Sequence, residues 1–360
     1  MKILYIMNVD WKWIKQRPHF VAEGLAKKHE IMLYYPYSYH RNKDMFCENP
    51  AEIIQPYKYY NLPFRRRYKL VNIMNNWYLY CFFTFIVSIK HPDVIWIGGD
   101  PDVACYLSKK NLRKVVYDCM DDYYAMSKNN EVMKKEKKIV NNCRHIFVSS
   151  LNLKNKVIER YRLDKSKVTL VRNGYDGKII DNFGRDKLRE EYVIAYIGTV
   201  SSWFDFELIE FIVKKVDNVQ FHIIGPIKST VIEQCKKLGK MGVVFYGSME
   251  HDLLYDFVSN VDCLIMPFII SEVTLSVDPV KLYEYINFNK NIISIKYPEI
   301  ERFSGFVNFY STRDEAVNVI IKLKKNKKIT YVNDERLKFL NNNSWDDRIK
   351  NMLDVLKSEF

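Results

Sequence analysis

The chain has 360 residues, more than one core of ordinary size accommodates, which predicts two domains. A hydrophobic fraction of 48% with 28% charged residues excludes an intrinsically disordered chain. Seven cysteines, an odd number without a C-x-x-C pair, indicate reduced cytosolic thiols and exclude a disulfide framework or a zinc cluster. No signal peptide is expected, and the longest apolar run, 78–89, is shorter than the ~20 residues that span a bilayer. We expect a soluble protein, or one attached to a membrane surface without crossing it.

The net charge of +13 is concentrated in the first half of the chain. Residues 1–180 contain 32 basic and 17 acidic side chains, whereas residues 181–360 contain 24 basic and 26 acidic ones. A basic half beside a nearly neutral half indicates that an anionic partner binds the first half only.

Short apolar strands alternate with amphipathic helices, which is typical of α/β proteins with parallel sheets. The predicted strands of the first half are 2–7, 31–35, 94–97, 114–117, 145–148 and 168–171, with helices at 18–28 and 129–141. Those of the second half are 193–197, 220–224, 243–245, 263–266 and 291–295, with a helix at 281–288. We predict two Rossmann-like, doubly wound domains that face a cleft, with ligands at the carboxyl ends of the strands.

The domain boundaries follow from where the alternation stops and restarts. The first domain is predicted over 1–175, and a polar, glycine-containing linker over 176–191. The second domain covers 192–330, and a polar helical tail over 331–360, with Trp345 as a candidate anchor, is expected to pack back on the first domain.

A helix that begins near residue 279 carries the most informative motif, D-P-V-K-L-Y-E-Y at 278–285. Asp278 is a candidate N-cap, and Pro279 suits the first helical turn. The unpaired N–H groups and positive dipole end of such a helix suit a diphosphate, which the Lys281 ammonium could also reach. Glu284, three residues on, could accept hydrogen bonds from two ribose hydroxyls, although an ordinary surface Lys–Glu pair explains the spacing equally well.

This motif resembles the donor-binding segment of GT-B glycosyltransferases, in the group that builds teichuronic acid, capsular and other bacterial exopolysaccharides. Segments 10–19, 117–122 and 197–205 resemble the first-strand loop, the acidic motif and the opening of the nucleotide domain in that group. The resemblance extends from residue 1 to about residue 297. It implies a nucleotide-sugar co-substrate, UDP-sugar by default, with no permanently bound cofactor and no metal. Lys281 would contact donor phosphate, Glu284 the ribose or sugar, and Gly198 would allow close approach of the diphosphate.

The chain departs from retaining members of the related family, which carry two glutamates seven residues apart near this helix. Glu284 matches the second, but Ser276 stands at the position of the first, and Glu272 lies at a different spacing. An inverting mechanism is therefore favoured.

An acidic cluster of Asp118, Asp121 and Asp122 follows the strand predicted at 114–117. An inverting transfer needs a base for the attacking hydroxyl, and a carboxylate at the carboxyl end of a strand can supply it. Mutual repulsion would raise at least one pKa of the cluster. Asp118 is the first candidate base, while the alternatives are that Asp121 or Asp122 caps a helix and that Asp118 binds backbone in a turn.

Three loops and one basic cluster complete the predicted site. The candidate acceptor or cleft residues after the first strand are Asp10, Trp11, Trp13, Lys15, Arg17 and His19. The tryptophans suit sugar stacking or packing between domains, Lys15 and Arg17 form an anion-receptive corner, and His19 is a base or a structural residue. Gly198 and Thr199, with Tyr246 and Gly247, suit phosphate and base binding, although ordinary strand-to-helix turns would have the same sequence pattern.

A basic cluster of Arg65, Arg66, Arg67 and Lys69 lies next to an apolar helix and suits contact with an anionic membrane. The apolar segment 78–89 itself favours a buried helix.

The predicted function is transfer of a sugar from UDP-sugar to a lipid-linked saccharide at the inner face of the bacterial membrane. A sugar-nucleotide epimerase of the same architecture is the alternative enzyme. A nucleic-acid-binding protein is the alternative without catalysis, but the chain contains no recognisable nucleic-acid-binding module.

Overall fold

The computed structural model describes residues 1–12, 15–37, 53–65, 67–175, 177–180, 191–249 and 251–358. The chain divides into two compact units, one of Met1–Asn173 with Trp345–Phe360 and one of Gly174–Ser344. The tail predicted as one segment is thereby split, because its last helix belongs to the first unit and the preceding helix to the second.

Seven parallel strands form the sheet of the first unit. They are β1 (Lys2–Met7), β2 (Glu30–Pro36), β3 (Tyr57–Tyr59), β4 (Val94–Gly98), β5 (Val115–Cys119), β6 (His145–Val148) and β7 (Val168–Leu170). Their order is β3–β2–β1–β4–β5–β6–β7, so the topology switches direction between β1 and β4. Strands β4, β5 and β6 are buried along their whole length, as expected of parallel strands with both faces covered.

Six parallel strands form the sheet of the second unit. They are β8 (Tyr192–Ile197), β9 (Val219–Ile224), β10 (Val244–Gly247), β11 (Cys263–Met266), β12 (Asn291–Ile295) and β13 (Val307–Tyr310). Their order is β10–β9–β8–β11–β12–β13, with the switch between β8 and β11. Strand β13 here and strand β3 in the first sheet were not predicted from the sequence, since both are short and lie at a sheet edge.

Helices connect the strands of both sheets. The first unit contains α1 (Arg17–Ala26), α2 (Lys69–Lys90), α3 (Lys109–Leu112), α4 (Tyr123–Ser127), α5 (Asn130–Asn142) and α6 (Leu151–Tyr161). The second contains α7 (Phe206–Lys215), α8 (Ile232–Gly239), α9 (His251–Ser259), α10 (Val280–Asn287), α11 (Arg313–Asn326) and α12 (Asn333–Asn341). The last helix, α13 (Trp345–Ser358), returns to the first unit.

Helix α13 packs against α1 and completes the first core. The ring of Trp345 stacks on Phe20 at 5.0 Å between centroids. Gly24 lies so close to Ile349 that a Cβ atom at Gly24 would stand 2.5 Å from Ile349 Cγ1. The C-terminal helix is therefore a structural part of the first unit.

Candidate functional site

The carboxyl ends of β1, β4 and β5 form the candidate site of the first unit. Ligands of doubly wound sheets bind at this edge, near the point where the strand order reverses. Asn8 follows β1, Gly99 and Asp100 follow β4, and the acidic cluster follows β5. The order of the strands thus brings side chains more than 100 residues apart in sequence to one edge.

Asp118 does not have the free carboxylate expected of a base. Its side chain is completely buried, and Arg17 donates to Asp118 Oδ1 from Nη2 at 2.8 Å and from Nε at 3.0 Å. Arg17 Nη1 also donates to the carbonyl oxygen of Val171 at 2.8 Å. The pair joins β5, α1 and the end of β7, so the Asp118 carboxylate is already bound to a side chain of the protein.

Asp122 caps helix α4 and pairs with basic side chains. It accepts the backbone N–H of Ala125 at 3.1 Å, and Arg160 donates to both carboxylate oxygens at 2.9 Å. Lys156 adds a contact of 3.3 Å. Burial alone would raise the pKa of Asp122, but the hydrogen bonds from Arg160 and Ala125 lower it below its ordinary value. The capping alternative therefore holds for this residue.

Asp121 has the environment of a general base. The residue is half-buried, and its carboxylate makes no hydrogen bond or ion pair with the residues that the structure describes. Burial raises the pKa of Asp121 to about 6, with Asp122 adding to the rise and Arg17 opposing it. A carboxyl group with this pKa is largely ionised at neutral pH yet binds a proton more readily than an ordinary aspartate.

A polar cluster around Gly99 was not predicted from the sequence. A Cβ atom at Gly99, where φ is +93°, would lie 2.5 Å from the Tyr123 hydroxyl and 2.6 Å from Asn8 Nδ2. The Tyr123 hydroxyl and Asn8 Oδ1 are buried and have no hydrogen-bond partner among the described residues. Burial and the adjacent Asp102 raise the pKa of Asp100 to about 6. The position of Asn8 and Asp100 after predicted strands was the one indication of this cluster in the sequence.

The loop after β1 is built for packing, in contrast to the expected sugar-stacking surface. Trp11 is buried in the first core and stacks on His19 at 5.3 Å. His19 Nδ1 accepts the backbone N–H of Gln16 at 3.1 Å, while Nε2 lies 3.2 Å from the carbonyl oxygen of Trp11. Burial lowers the pKa of His19 to about 4, which supports the structural alternative. Trp13 lies outside the described residues.

The other charged residues of this loop already have internal partners. Asp10 accepts the backbone N–H of Lys12 at 3.0 Å. Lys15 pairs with Glu23 at 2.8 Å, and Arg17 is committed to Asp118 as described. The expected anion-receptive corner of Lys15 and Arg17 is thus occupied by carboxylates of the protein itself.

The residues predicted to contact a membrane have different environments. Arg65 pairs with Asp102 at 3.0 Å. Arg67 and Lys69 are exposed, and Arg66 lies outside the described residues. Only Arg67 and Lys69 among the described members of the cluster therefore offer uncommitted charge to an external anion.

In the second unit, Lys281 lies directly against Gly198, the glycine that follows β8. A Cβ atom at Gly198 would stand 2.2 Å from both Cε and Nζ of Lys281, so a larger residue at this position would displace the end of the lysine side chain. The lysine is half-buried, and its ammonium has no hydrogen bond or ion pair within the described part of the chain. Burial lowers the pKa of Lys281, and Glu284 partly opposes the shift. The structure thus brings Lys281, in the first turn of α10, to the switch point between β8 and β11.

The residues that flank Lys281 have different roles. Asp278 is not the N-cap of α10, because Pro279 holds that position and no side chain caps the helix. The buried Asp278 carboxylate instead pairs with Arg302. Glu284 is partly exposed one turn after Lys281.

The other predicted donor residues lie at the same edge of the sheet. Thr199 follows Gly198, and its carbonyl oxygen accepts the Tyr196 hydroxyl at 2.9 Å. Gly247 ends β10 with φ +71°, a conformation that favours glycine. The exposed Tyr246 ring contacts Phe257 edge-on at 5.0 Å. Strands β10 and β8 are separated by β9, so these two loops are about 10 Å apart along the sheet.

Ser276, which precedes α10, offers no carboxylate to the site. It is buried, and its hydroxyl donates to the carbonyl oxygen of Glu272 at 3.2 Å, while the Glu272 side chain is exposed. Within the described ranges, no group of three or more His, Cys, Asp or Glu side chains is arranged to hold a metal ion.

No protein-family profile matches the chain. TuaH of Bacillus subtilis (strain 168), whose name proposes a teichuronic acid biosynthesis glycosyltransferase, is 23% identical over 233 residues. These residues cover 59% of this chain and 58% of TuaH, so the similarity spans little more than half of that relative. The resemblance to teichuronic acid glycosyltransferases that the motifs predicted is confirmed by this alignment.

Solved structures of glycosyltransferases match the chain over its whole length. The lipopolysaccharide outer core galactosyltransferase WaaB, in its apo form, has a TM-score of 0.70 at 14% identity over 100% of both chains. HepE of Anabaena, in complex with UDP, has a TM-score of 0.71 at 12% identity over 99% of this chain and 100% of HepE. The predicted fold class is confirmed: the chain has the α/β fold, with two parallel sheets, of the GT-B glycosyltransferases.

Proposed function

We propose that the chain is a glycosyltransferase that moves a sugar from UDP-sugar to a lipid-linked saccharide in bacterial surface-polysaccharide synthesis. One observation carries the proposal: Lys281 is a half-buried lysine whose amine makes no hydrogen bond or ion pair with the described residues, and it lies against Gly198 at the switch point of the second sheet. A cation in this position favours a bound anion. HepE, which shares the fold, was solved with UDP, and TuaH and WaaB are named for surface-polymer synthesis.

The donor diphosphate would lie between Lys281 and the loop at Gly198. The first backbone N–H groups of α10 add to the positive potential, because they have no partners inside the helix. Gly198 lacks a side chain and lets the diphosphate approach the backbone closely. Glu284, one turn further along α10, would accept hydrogen bonds from ribose or sugar hydroxyls.

Transfer proceeds by attack of an acceptor hydroxyl on the anomeric carbon of the donor. The new C–O bond forms as the bond to the β-phosphate oxygen breaks, the hydroxyl proton passes to the Asp121 carboxylate, and UDP departs. Lys281 stabilises the charge that develops on the diphosphate. Asp121 replaces Asp118 as the proposed base because it alone of the three aspartates has an unpaired carboxylate within the described residues. The reaction inverts the anomeric carbon and uses no bound divalent ion.

The distribution of charge along the chain supports an anionic, lipid-linked acceptor. The surplus of basic side chains lies in residues 1–180, and an acceptor linked through a polyisoprenoid diphosphate is anionic. Such an acceptor would place the protein in the cytoplasm, at the inner face of the cell membrane.

Calorimetric titration with UDP tests the donor site. We expect Lys281→Ala to weaken UDP binding about 10- to 100-fold, the loss typical of a charge-assisted hydrogen bond. Lys240→Ala, which removes an exposed lysine of the same unit, is the matched control and should bind UDP like the wild type. Equal UDP affinity of Lys281→Ala and wild type would refute the donor-site assignment.

A further inference from the structure

Helix α2 is apolar on two opposite faces. One face is buried in the first core and presents Leu79, Phe83 and Val87, with Asn75 on the same side. The opposite face is exposed although its side chains are large and apolar: Leu70 is 76% and Trp77 71% exposed. The remaining exposed apolar side chains of the helix are Ile73, Met74, Tyr78, Tyr80, Phe85 and Ile89. The prediction that residues 78–89 form a buried helix is therefore wrong for the outer face.

The outer face is long and uncharged. Between Lys69 and Lys90 the helix contains no charged residue. At 1.5 Å per residue, this uncharged stretch is about 30 Å long. Exposed apolar residues scattered singly are normal, but a continuous stripe of this size marks an interaction surface.

The turn before α2 extends the same surface. Phe64 is 68% exposed and has φ +61°, an unfavourable backbone conformation for a bulky side chain. The turn thus holds an aromatic ring outward at a cost in backbone energy. The exposed Tyr68 follows it, and Arg67 contacts the Tyr68 ring at 5.5 Å.

Charge at the rim of the surface indicates an anionic partner. Arg67 and Lys69 flank the start of the helix and Lys90 its end, and all three are exposed. Helix α2 contains no acidic residue. Aromatic rings and basic residues around an apolar stripe are the composition of helices that lie in the headgroup region of a membrane.

Helix α2 also has the length and composition to cross a membrane, with 22 residues and a mean hydropathy of 1.3 in its most apolar window. Its inner face argues against a crossing. Phe83 makes ring contacts with Tyr59 and Tyr106 beneath the helix, and Leu79 is completely buried. If α2 crossed the membrane, this part of the core would be exposed, so only the outer face of α2 can contact a membrane.

A second copy of the chain is the competing occupant. Two α2 helices that pack antiparallel place Lys69 of each copy beside Lys90 of the other, and parallel packing brings identical lysines together. With no acidic residue on α2, either arrangement sets like charges side by side. An anionic surface meets the same lysines favourably.

We propose that α2 lies parallel to the plane of an anionic bilayer, with its outer face and Phe64 inserted at the boundary between headgroups and acyl chains. The inference deepens the proposed function and rests on it for the membrane-bound acceptor. The surface itself is independent of the chemistry at Lys281 and Asp121.

Sedimentation of the full chain with vesicles tests the inference. The vesicles contain phosphatidylcholine with 30% phosphatidylglycerol or phosphatidylcholine alone, and the variants are Trp77→Glu and Phe85→Glu. We expect the wild type to bind the anionic vesicles, and each variant to lose at least 10-fold in affinity. Leu151→Glu, at an exposed leucine of α6 in the same unit, should bind like the wild type. Circular dichroism establishes that each variant is folded.

Three results would overturn the inference. They are failure of the wild type to bind anionic vesicles, equal binding by the wild type and both α2 variants, and a dimer that Trp77→Glu dissociates in light scattering without vesicle binding. UDP calorimetry on the same wild-type sample separates the two proposals. Vesicle binding without UDP binding contradicts the proposed function alone, and UDP binding without vesicle binding contradicts the α2 inference alone.

Discussion

At the scale of single residues, three neighbouring aspartates have three different environments. Asp118 is held by Arg17, Asp122 by Arg160, and Asp121 has no internal partner in the described part of the chain. An ion pair stabilises the carboxylate and makes it a weaker base, whereas burial without a partner raises the pKa. Proximity in sequence therefore does not determine which of the three takes up a proton.

Asp121→Asn should abolish most turnover and leave donor binding intact. The amide cannot accept the hydroxyl proton, and loss of general base catalysis typically costs 10²- to 10⁴-fold in rate. Because burial raises the pKa of Asp121 to about 6, wild-type kcat/KM should fall as the pH drops through that value and the base becomes protonated. Glu159→Gln, at an exposed carboxylate of the same unit, should leave rate and pH profile unchanged. Asp121→Asn with wild-type turnover would assign the base elsewhere.

His19 should make folding stability depend on pH. Burial lowers its pKa to about 4 in the folded protein, against 6.5 in an unfolded chain. Between these values the unfolded state binds a proton that the folded state does not, so the stabilisation due to neutral His19 is lost as the pH falls from 6.5 to 4. Asp121 acts in the opposite direction, since its raised pKa lets the folded state take up the proton first.

Comparison of wild type with His19→Gln isolates the histidine. The difference in free energy of unfolding, measured in urea at pH 7, 5.5 and 4, should shrink by about 3 kcal/mol at most towards low pH. Asp121 is present in both proteins and cancels. A difference that stays constant over this range would show that His19 is not held neutral by the fold.

At the scale of elements, the strands and helices that can be predicted are those whose apolar pattern is local in sequence. Buried parallel strands are continuous apolar runs, so β1, β4 and β8 are recognisable in the sequence. Helix α2 shows the limit of this reasoning, because a core helix and a surface helix with an apolar outer face have the same composition. Which side faces the core depends on the strands beneath it, and that information is not local.

In the candidate site, too, local features could be predicted from the sequence and non-local contacts could not. Lys281 and Gly198 were identified through motifs, each of which follows from its own segment of chain. The pairing of Arg17 with Asp118 joins residues 101 positions apart, and the burial of Trp11 depends on the packing of α1. The sequence therefore indicated which residues stand near the edge of each sheet, but not which of them are already paired or buried.

At the scale of the whole molecule, the charge asymmetry is a property of the surface. The buried or half-buried pairs of Arg17 with Asp118 and Arg160 with Asp122 contribute no net charge. The surplus of basic residues in the first 180 positions is therefore carried by other side chains, and Arg67, Lys69 and Lys90 around α2 are exposed members of it. Salt should accordingly weaken any binding of an anionic partner to the first unit.

The two units have separate cores, although the chain passes from the first to the second and back. Trp345, at the start of α13, is buried in the first core, stacks on Phe20 and lies 5.8 Å from the Arg17 guanidinium. Leu340, in α12 only five residues earlier, is buried in the second core. The two side chains form a matched pair, close in sequence but assigned to different units.

Truncation of each side chain should therefore destabilise a different unit. Trp345→Ala removes about 3–5 kcal/mol from the first core, and Leu340→Ala about 2–5 kcal/mol from the second. In hydrogen exchange of the full chain, Trp345→Ala should speed exchange of amides in β1 and α1 and leave β12 unchanged. Leu340→Ala should do the reverse, with faster exchange in α10 and β12. Equal acceleration in both units by either variant would mean that the two cores unfold as one cooperative unit, because a local loss of packing would then be shared by the whole chain.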